Sequence, residues 1–332
     1  ALNTGRIVPI YRETKGLTSR QIRAAVHAAF EKGIQLDEYL PEWLVDEQDL
    51  RSYHDAVYGL HFPDSADDLE TARTRLGFGE VFELSLASQL IKRAHKLEHA
   101  LPIPFVADAA QALVGSLPFT LTDDQRAVAW QIYKDMARAE PMNRLVEGDV
   151  GSGKTVVAAM AAHMVAQAGY QSAFMAPTEL LARQHYASLT KLYGDHAVEA
   201  VLLVGSMTAV QKQAARDKIA DGTAHCIVGT QALIQDKVLP NTLALIIIDE
   251  QHRFGVEQRK TLMLKAGHMP HVLSMTATPI PRSLALTLYG ELDVSIIKQK
   301  PAGRQPIITE LVSPNSRAQL FTKLQGELDA GR

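Results

Sequence analysis

Two hydrophobic rhythms divide the chain. Through its first hundred residues apolar positions recur every three or four places, the period of an amphipathic helix. Thr18 and Gln21 stand at the spacing of a capping box, in which hydroxyl and amide reach reciprocally to exposed backbone N–H groups. Behind them Ile22, Ala25, Val26, Ala29 and Phe30 line one face until Gly33 ends the run. After Phe62 and Pro63 a second helix opens near Ser65 and Asp68. In the stretch that follows, Phe82, Leu86, Leu90, Leu97 and Leu101 recur at three-, four- or seven-residue intervals. Lys92, Arg93, Lys96 and Glu98 point elsewhere and read as a solvated face rather than one that tracks DNA.

From about Leu117 short β-rich apolar runs alternate with helical stretches. The candidate strands are residues 144–147, 172–176, 198–204, 226–229, 243–248, 271–275 and 294–298. A run such as Leu-Ala-Leu-Ile-Ile-Ile at 243–248 is apolar on both faces, which suits a parallel sheet covered by helices on each side. The expected fold is α/β, a doubly wound parallel sheet preceded by a mostly helical region. Residues 1–110 form the helical region and 111–300 the α/β domain; 301–332, opening on Pro301, Ala302, Gly303 and Pro306, read as a linker and the start of an incomplete element. No internal repeat or low-complexity tract is visible.

Composition bounds the picture. The 332 residues, 46% hydrophobic and 21% charged, are ample for packed cores and correspond to about two domains. The single cysteine, Cys226, excludes an internal disulfide and a cysteine-rich zinc site, and fits a reducing cytoplasm as a packing residue rather than a nucleophile. The N-terminus has no signal-peptide core. The longest apolar stretch, 156–168, falls short of the roughly 20 residues a bilayer span needs, so a soluble protein without membrane contact is expected. Net charge is −3, so any case for nucleic acid must come from motifs. A first residue other than Met and an ending on Arg332 suggest a piece of something longer.

The strongest motif is Gly148-Asp149-Val150-Gly151-Ser152-Gly153-Lys154-Thr155, which fits G-x-x-x-x-G-K-[ST] between a strand and a helix. Glycines let backbone N–H groups curl around phosphate oxygens with no Cβ in the way, and the helix adds its positive N-terminal end. Gly148, Gly151, Ser152 and Gly153 would form the cradle, Lys154 would bridge the β- and γ-phosphates, and the Thr155 hydroxyl would join a Mg²⁺ shell. A merely flexible turn would not need this strand, turn and helix setting. The strand at 243–248 delivers Asp249 and Glu250 to the sheet edge where ligands bind. Asp249 would hold Mg²⁺ through its water, and Glu250 would orient or deprotonate the water attacking the γ-phosphate. Acids at a strand end also cap helices, a reading that loses its appeal beside the phosphate loop.

Further strand exits follow. Residues 176–184 leave a strand and open a helix, placing Thr178 and backbone N–H groups at a helix N-terminus, with Arg183 beyond. Residues 229–234, with Thr230 and Gln231, repeat that arrangement, and Thr276 and Thr278 present two hydroxyls at the exit of the strand from His271. Thr122 and Gln125 again have the capping-box spacing.

The order Gln125, 148–155, 177–184, 229–234, Asp249-Glu250-Gln251-His252 and Thr276-Ala277-Thr278 resembles the first RecA-like motor domain of superfamily 2 helicases. Within it, residues 249–256 and 275–287 look like the RecG family of bacterial ATP-dependent DNA helicases. Pro9, Tyr11, Thr14, Gly16, Leu17, His61-Phe62-Pro63, Ala72, Arg73, Arg75, Leu76 and Phe82 resemble that family's region between wedge and motor. The likeness covers nearly the whole chain. Transcription-repair coupling translocases have a related motor, but their acidic box lacks a His where this chain has His252.

The resemblance implies a monomeric, cytoplasmic, nucleoid-associated bacterial motor. It would use ATP and Mg²⁺ to remodel branched DNA, stalled forks and Holliday junctions included, by translocating on duplex during recombination and repair. Lys154 and Thr155 would hold nucleotide and metal, with Asp249 and Glu250 serving hydrolysis. Thr178, Arg183, Thr230 and Gln231 would lie along the DNA path, while Gln251, His252, Thr276 and Thr278 couple nucleotide state to grip. A Gln at the place of Gln125 reads adenine in many helicases, and both its roles stay open. The wedge and second motor domain are expected in the parent chain. Without the latter's arginine finger, worth on the order of 10³ to 10⁵ in rate, this piece should turn over poorly. The competing readings are a free-standing phosphate-loop kinase and a non-enzymatic nucleotide- or DNA-binding module.

Overall fold

The computed structural model describes residues 6–235, 237–250, 253–278, 292–301, 309 and 311–329. The first helical rhythm becomes four helices, α1 (Ser19–Glu31), α2 (Glu42–Glu47), α3 (Tyr53–His61) and α4 (Ala66–Lys96). Thr18 and Gln21 make both halves of the capping box on α1, and Ser65 caps α4 by accepting from the Asp68 N–H at 3.0 Å. The expected face of α1 is only partly covered. Phe30 meets the edges or faces of His54, Tyr58 and Phe62, with ring centroids 5.2 to 6.5 Å apart. The centre of this region is Arg75, whose side chain is fully enclosed, ion-paired to Glu38 and held over the rings of Tyr39 and Tyr53.

One expectation from periodicity is not met. Leu86, Leu90 and Leu97 are 48%, 57% and 77% exposed, while Lys92, expected in the solvated face, is half-buried and pairs with Asp293 at 2.7 Å. The buried residues of α4, Ala72, Arg75 and Gly79, all lie in its first half, where α3 packs against it. A three- or four-residue spacing dictates which side chains share a face; it does not dictate that anything covers that face.

The α/β region follows in the order α5 (Ala107–Ser116), α6 (Asp123–Met136), β1 (Asn143–Gly148), α7 (Lys154–Gln167), β2 (Gln171–Met175), α8 (Glu179–Tyr193), β3 (Ala200–Leu203), α9 (Ala209–Ala220), β4 (Cys226–Gly229), β5 (Leu243–Asp249), α10 (Val256–Leu264), β6 (His271–Thr276) and β7 (Asp293–Ile297). All seven expected strands are present within two residues of their expected limits. They form one sheet in the order β3-β4-β2-β5-β6-β1-β7, and each neighbouring pair is parallel. Every strand therefore delivers its C-terminal end to the same edge. A last helix, Arg317–Asp329, buries no residue.

Apolar cores lie on both faces of the sheet. In α7 the ten consecutive residues from Val156 to Val165 are all buried. A helix apolar all round belongs inside a protein, and Ala158, Ala159, Ala161 and Ala162 let its neighbours approach closely. The same core takes in Ile103, Ala110 and Leu113, so packing against α7 begins before and within α5. Cys226 is fully buried, and burial pushes its thiol up to about 11, as suits a packing residue. Arg144 of β1 is 9% exposed and reaches Asp135 of α6 through two nitrogens, at 2.9 and 2.5 Å, and Ser295 of β7 at 2.6 Å, which ties the sheet edge to its covering helix.

Candidate nucleotide-binding site

The loop leaving β1 takes the shape its glycines permit. Gly151 and Gly153 adopt left-handed backbone, with φ of 79° and 87°. A Cβ on Gly153 would lie 2.1 Å from Gln125 Nε2, and one on Gly148 would lie 2.5 Å from Ser152 Oγ. No side chain caps α7, so the N–H groups of Lys154 and Thr155 at its start can serve a ligand in the loop, and Ser152 Oγ is buried with no hydrogen-bond partner. Uncapped donors, an orphaned hydroxyl and a cationic side chain together fit a polyphosphate.

Lys154 Nζ donates to the carbonyls of Gly148 at 2.5 Å and Asp149 at 3.1 Å, folded back across the loop. Burial lowers its pKa, and the carboxylates of Asp249, Glu250 and Asp149 oppose that shift. The carboxylates at the end of β5 thus act electrostatically on the ammonium of the loop leaving β1, with β6 between the two strands in the sheet. Glu250 leaves β5 in left-handed backbone at φ 51°, an unusual conformation for a residue bearing a side chain. Thr276, at the end of β6, is buried, and its hydroxyl lies 2.9 Å from that of Thr278.

Gln125 is 1% exposed and both ends of its amide are engaged. Nε2 donates to the Ser152 carbonyl at 2.7 Å, and Oε1 accepts from the Thr122 N–H at 2.9 Å. Thr178 caps α8 by accepting from the Leu181 N–H at 3.3 Å. Arg183 donates to Ser206 Oγ at 3.0 Å, beside Glu179, which accepts from the Ser206 N–H at 3.0 Å. The exit of β4 differs from expectation. Thr230 opens a single 3₁₀ turn, Gln231–Ile234, in place of a helix, because Ala232 and Leu233 tuck into the core. Gln251, His252 and residues 279–287 lie outside the described residues.

Sequence did not point to His185. Its Nε2 lies 2.8 Å from Asp249 Oδ2, and its ring packs on Phe174 with centroids 4.6 Å apart. The segment at 177–184 stops one residue short of it, and the only signal is that position 185 falls on the inward face of α8 with Ala182 and Leu189. His185 and Thr155 both line a cavity of about 810 Å³, walled by Leu117, Phe119 and Lys191. Among the described residues no cluster of three or more His, Cys, Asp or Glu is placed to hold a metal by itself. None of the described helices is long and apolar enough to cross a membrane.

An ATP-dependent DNA helicase RecG from Streptococcus pneumoniae is 44% identical over 97% of this chain, and one from Thermotoga maritima 42% identical over 98%. The chain covers 48% and 42% of those two proteins, less than half of either. A solved structure of RecG bound to a three-way DNA junction superimposes with a TM-score of 0.80 at 40% identity, over 98% of this chain and 44% of its own. The expected likeness to RecG and the RecA-like α/β fold are both met. The DEAD/DEAH box helicase model matches residues 122–287, half of the chain, a span that runs from the Thr122 cap through the phosphate loop and acidic box, and the chain belongs to that family.

Proposed function

We propose that this chain is the ATP-binding half of a motor that remodels branched DNA, with a helical region over 1–110, the motor domain over 111–300 and a linker from 301. The carrying observation is a glycine loop with an orphaned Ser152 hydroxyl and Lys154 at the same edge of a parallel sheet as Asp249 and Glu250, whose charges act on that lysine. The names of the relatives and the junction-bound solved relative support DNA as the partner.

In this reading the loop N–H groups and Lys154 bind and orient the triphosphate, with Lys154 moving from its carbonyl contacts to the β- and γ-phosphates. Glu250 holds the attacking water in line and accepts its proton at the carboxylate. Mg²⁺, held by the Thr155 hydroxyl and by Asp249 through water, would neutralise charge on the transferring phosphoryl group. Thr178, Arg183, Thr230 and Gln231 face the DNA backbone, and Thr276 and Thr278, together with Gln251 and His252, relay the nucleotide state to that grip.

Lys154→Ala is expected to reduce ATP hydrolysis stimulated by branched DNA by at least about 100-fold, the scale of losing one charge-stabilising group. Undiminished hydrolysis in the variant would refute the assignment.

A further inference from the structure

We infer that His185 is a positioning residue for the metal-holding carboxylate, an inference that rests on the nucleotide reading above. A carboxylate only accepts, so the imidazole donates, and the proton sits on Nε2. The contact needs no charge on the ring. The arrangement is built rather than incidental: the two side chains are 11% and 13% exposed, Phe174 fixes the imidazole plane from β2, and β5 lies next to β2 in the sheet.

His185 thus anchors one oxygen of Asp249 and so fixes how the carboxylate is turned toward the phosphate loop. Groups that hold a ligating carboxylate from behind set its orientation, and losing such a partner weakens metal affinity by about 10- to 100-fold. His185 rides on α8, which Thr178 caps and whose second turn carries Arg183. The hydrogen bond thus joins the helix proposed to meet DNA to the carboxylate proposed to hold metal. A shift of α8 would change the aim of Asp249.

The test measures binding of a fluorescent ATP analogue to the full-length protein as Mg²⁺ is titrated, for wild type and for three variants. His185→Leu keeps the volume and removes the donor, His185→Asn keeps polarity but is too short to reach, and His185→Gln carries an amide nitrogen at about the place of Nε2. Leu and Asn are expected to raise the Mg²⁺ concentration for half-effect at least tenfold with metal-free nucleotide affinity unchanged, and Gln to restore the wild-type curve. Should the Leu variant fail to fold, the contrast between Asn and Gln decides alone. Mg²⁺ curves that overlay wild type in Leu and Asn, a Gln variant no better than Asn, or equal loss of metal-free affinity would each overturn the inference while leaving the nucleotide reading intact. A wild type that binds no nucleotide overturns both.

Discussion

Gln125 and Ser152 are joined across the base of the phosphate loop, the Gln125 amide donating to the Ser152 carbonyl while its oxygen caps α6 at the Thr122 N–H. Gln125→Ala would strand the buried Ser152 carbonyl and uncap the partly exposed Thr122 N–H, which costs about 1–3 kcal/mol. Denaturant unfolding should show that loss, and nucleotide titrations should show weaker binding of ATP and GTP alike. Unchanged stability with lost preference for ATP would instead establish that this glutamine reads adenine.

Arg75 is enclosed with Nε and one terminal nitrogen lacking a hydrogen bond, and its other terminal nitrogen lies 2.5 Å from Glu38 Oε1. Glu38 also accepts from the backbone N–H groups of Tyr39, Leu40 and Tyr53. Removing the acid leaves a buried guanidinium uncompensated, so Glu38→Ala should cost about 3–5 kcal/mol, whereas Arg75→Met should cost markedly less. Equilibrium unfolding of the two variants compares them directly.

His163 is buried in the middle of α7, and burial, with His196 beside it, pushes its pKa down to about 4. The folded state favours the neutral ring, so the unfolded chain binds more protons between about pH 6.5 and 4. Stability is complete above pH 6.5 and declines as pH falls through that window, by at most about 3 kcal/mol from this residue. His271, lowered chiefly by burial, acts in the same direction. Unfolding midpoints measured from pH 7 to 4 should fall less steeply in His163→Gln than in wild type.

Leu86, Leu90 and Leu97 stand in solvent along the second half of α4. Replacing each by Gln should change stability by less than about 0.5 kcal/mol, as for surface positions in general. A loss of 2 kcal/mol or more on unfolding would show that the face is covered after all.

Much of the candidate site is legible in the sequence. The phosphate loop, the acid pair and the capping glutamine announce themselves because each depends on residues within a few positions of one another, where glycine freedom, cap spacing and strand exits are local chemistry. His185 was not legible in that way. Its partner lies 64 residues further along, and nothing in either segment says that β5 settles beside β2.

The residues alone determined the parallel character of the sheet, because a run such as 243–248, apolar and free of charge, can be satisfied only between two covering layers. They also determined where α1, α4 and α6 begin, because the caps sit next to the helices they start. Only the tertiary structure decided that the leucines of α4 go uncovered, that residues 231–234 close into one tight turn, and that a histidine stands behind Asp249. Those outcomes are set by which element happens to lie alongside, a matter of strand order and packing that no window of neighbouring residues contains.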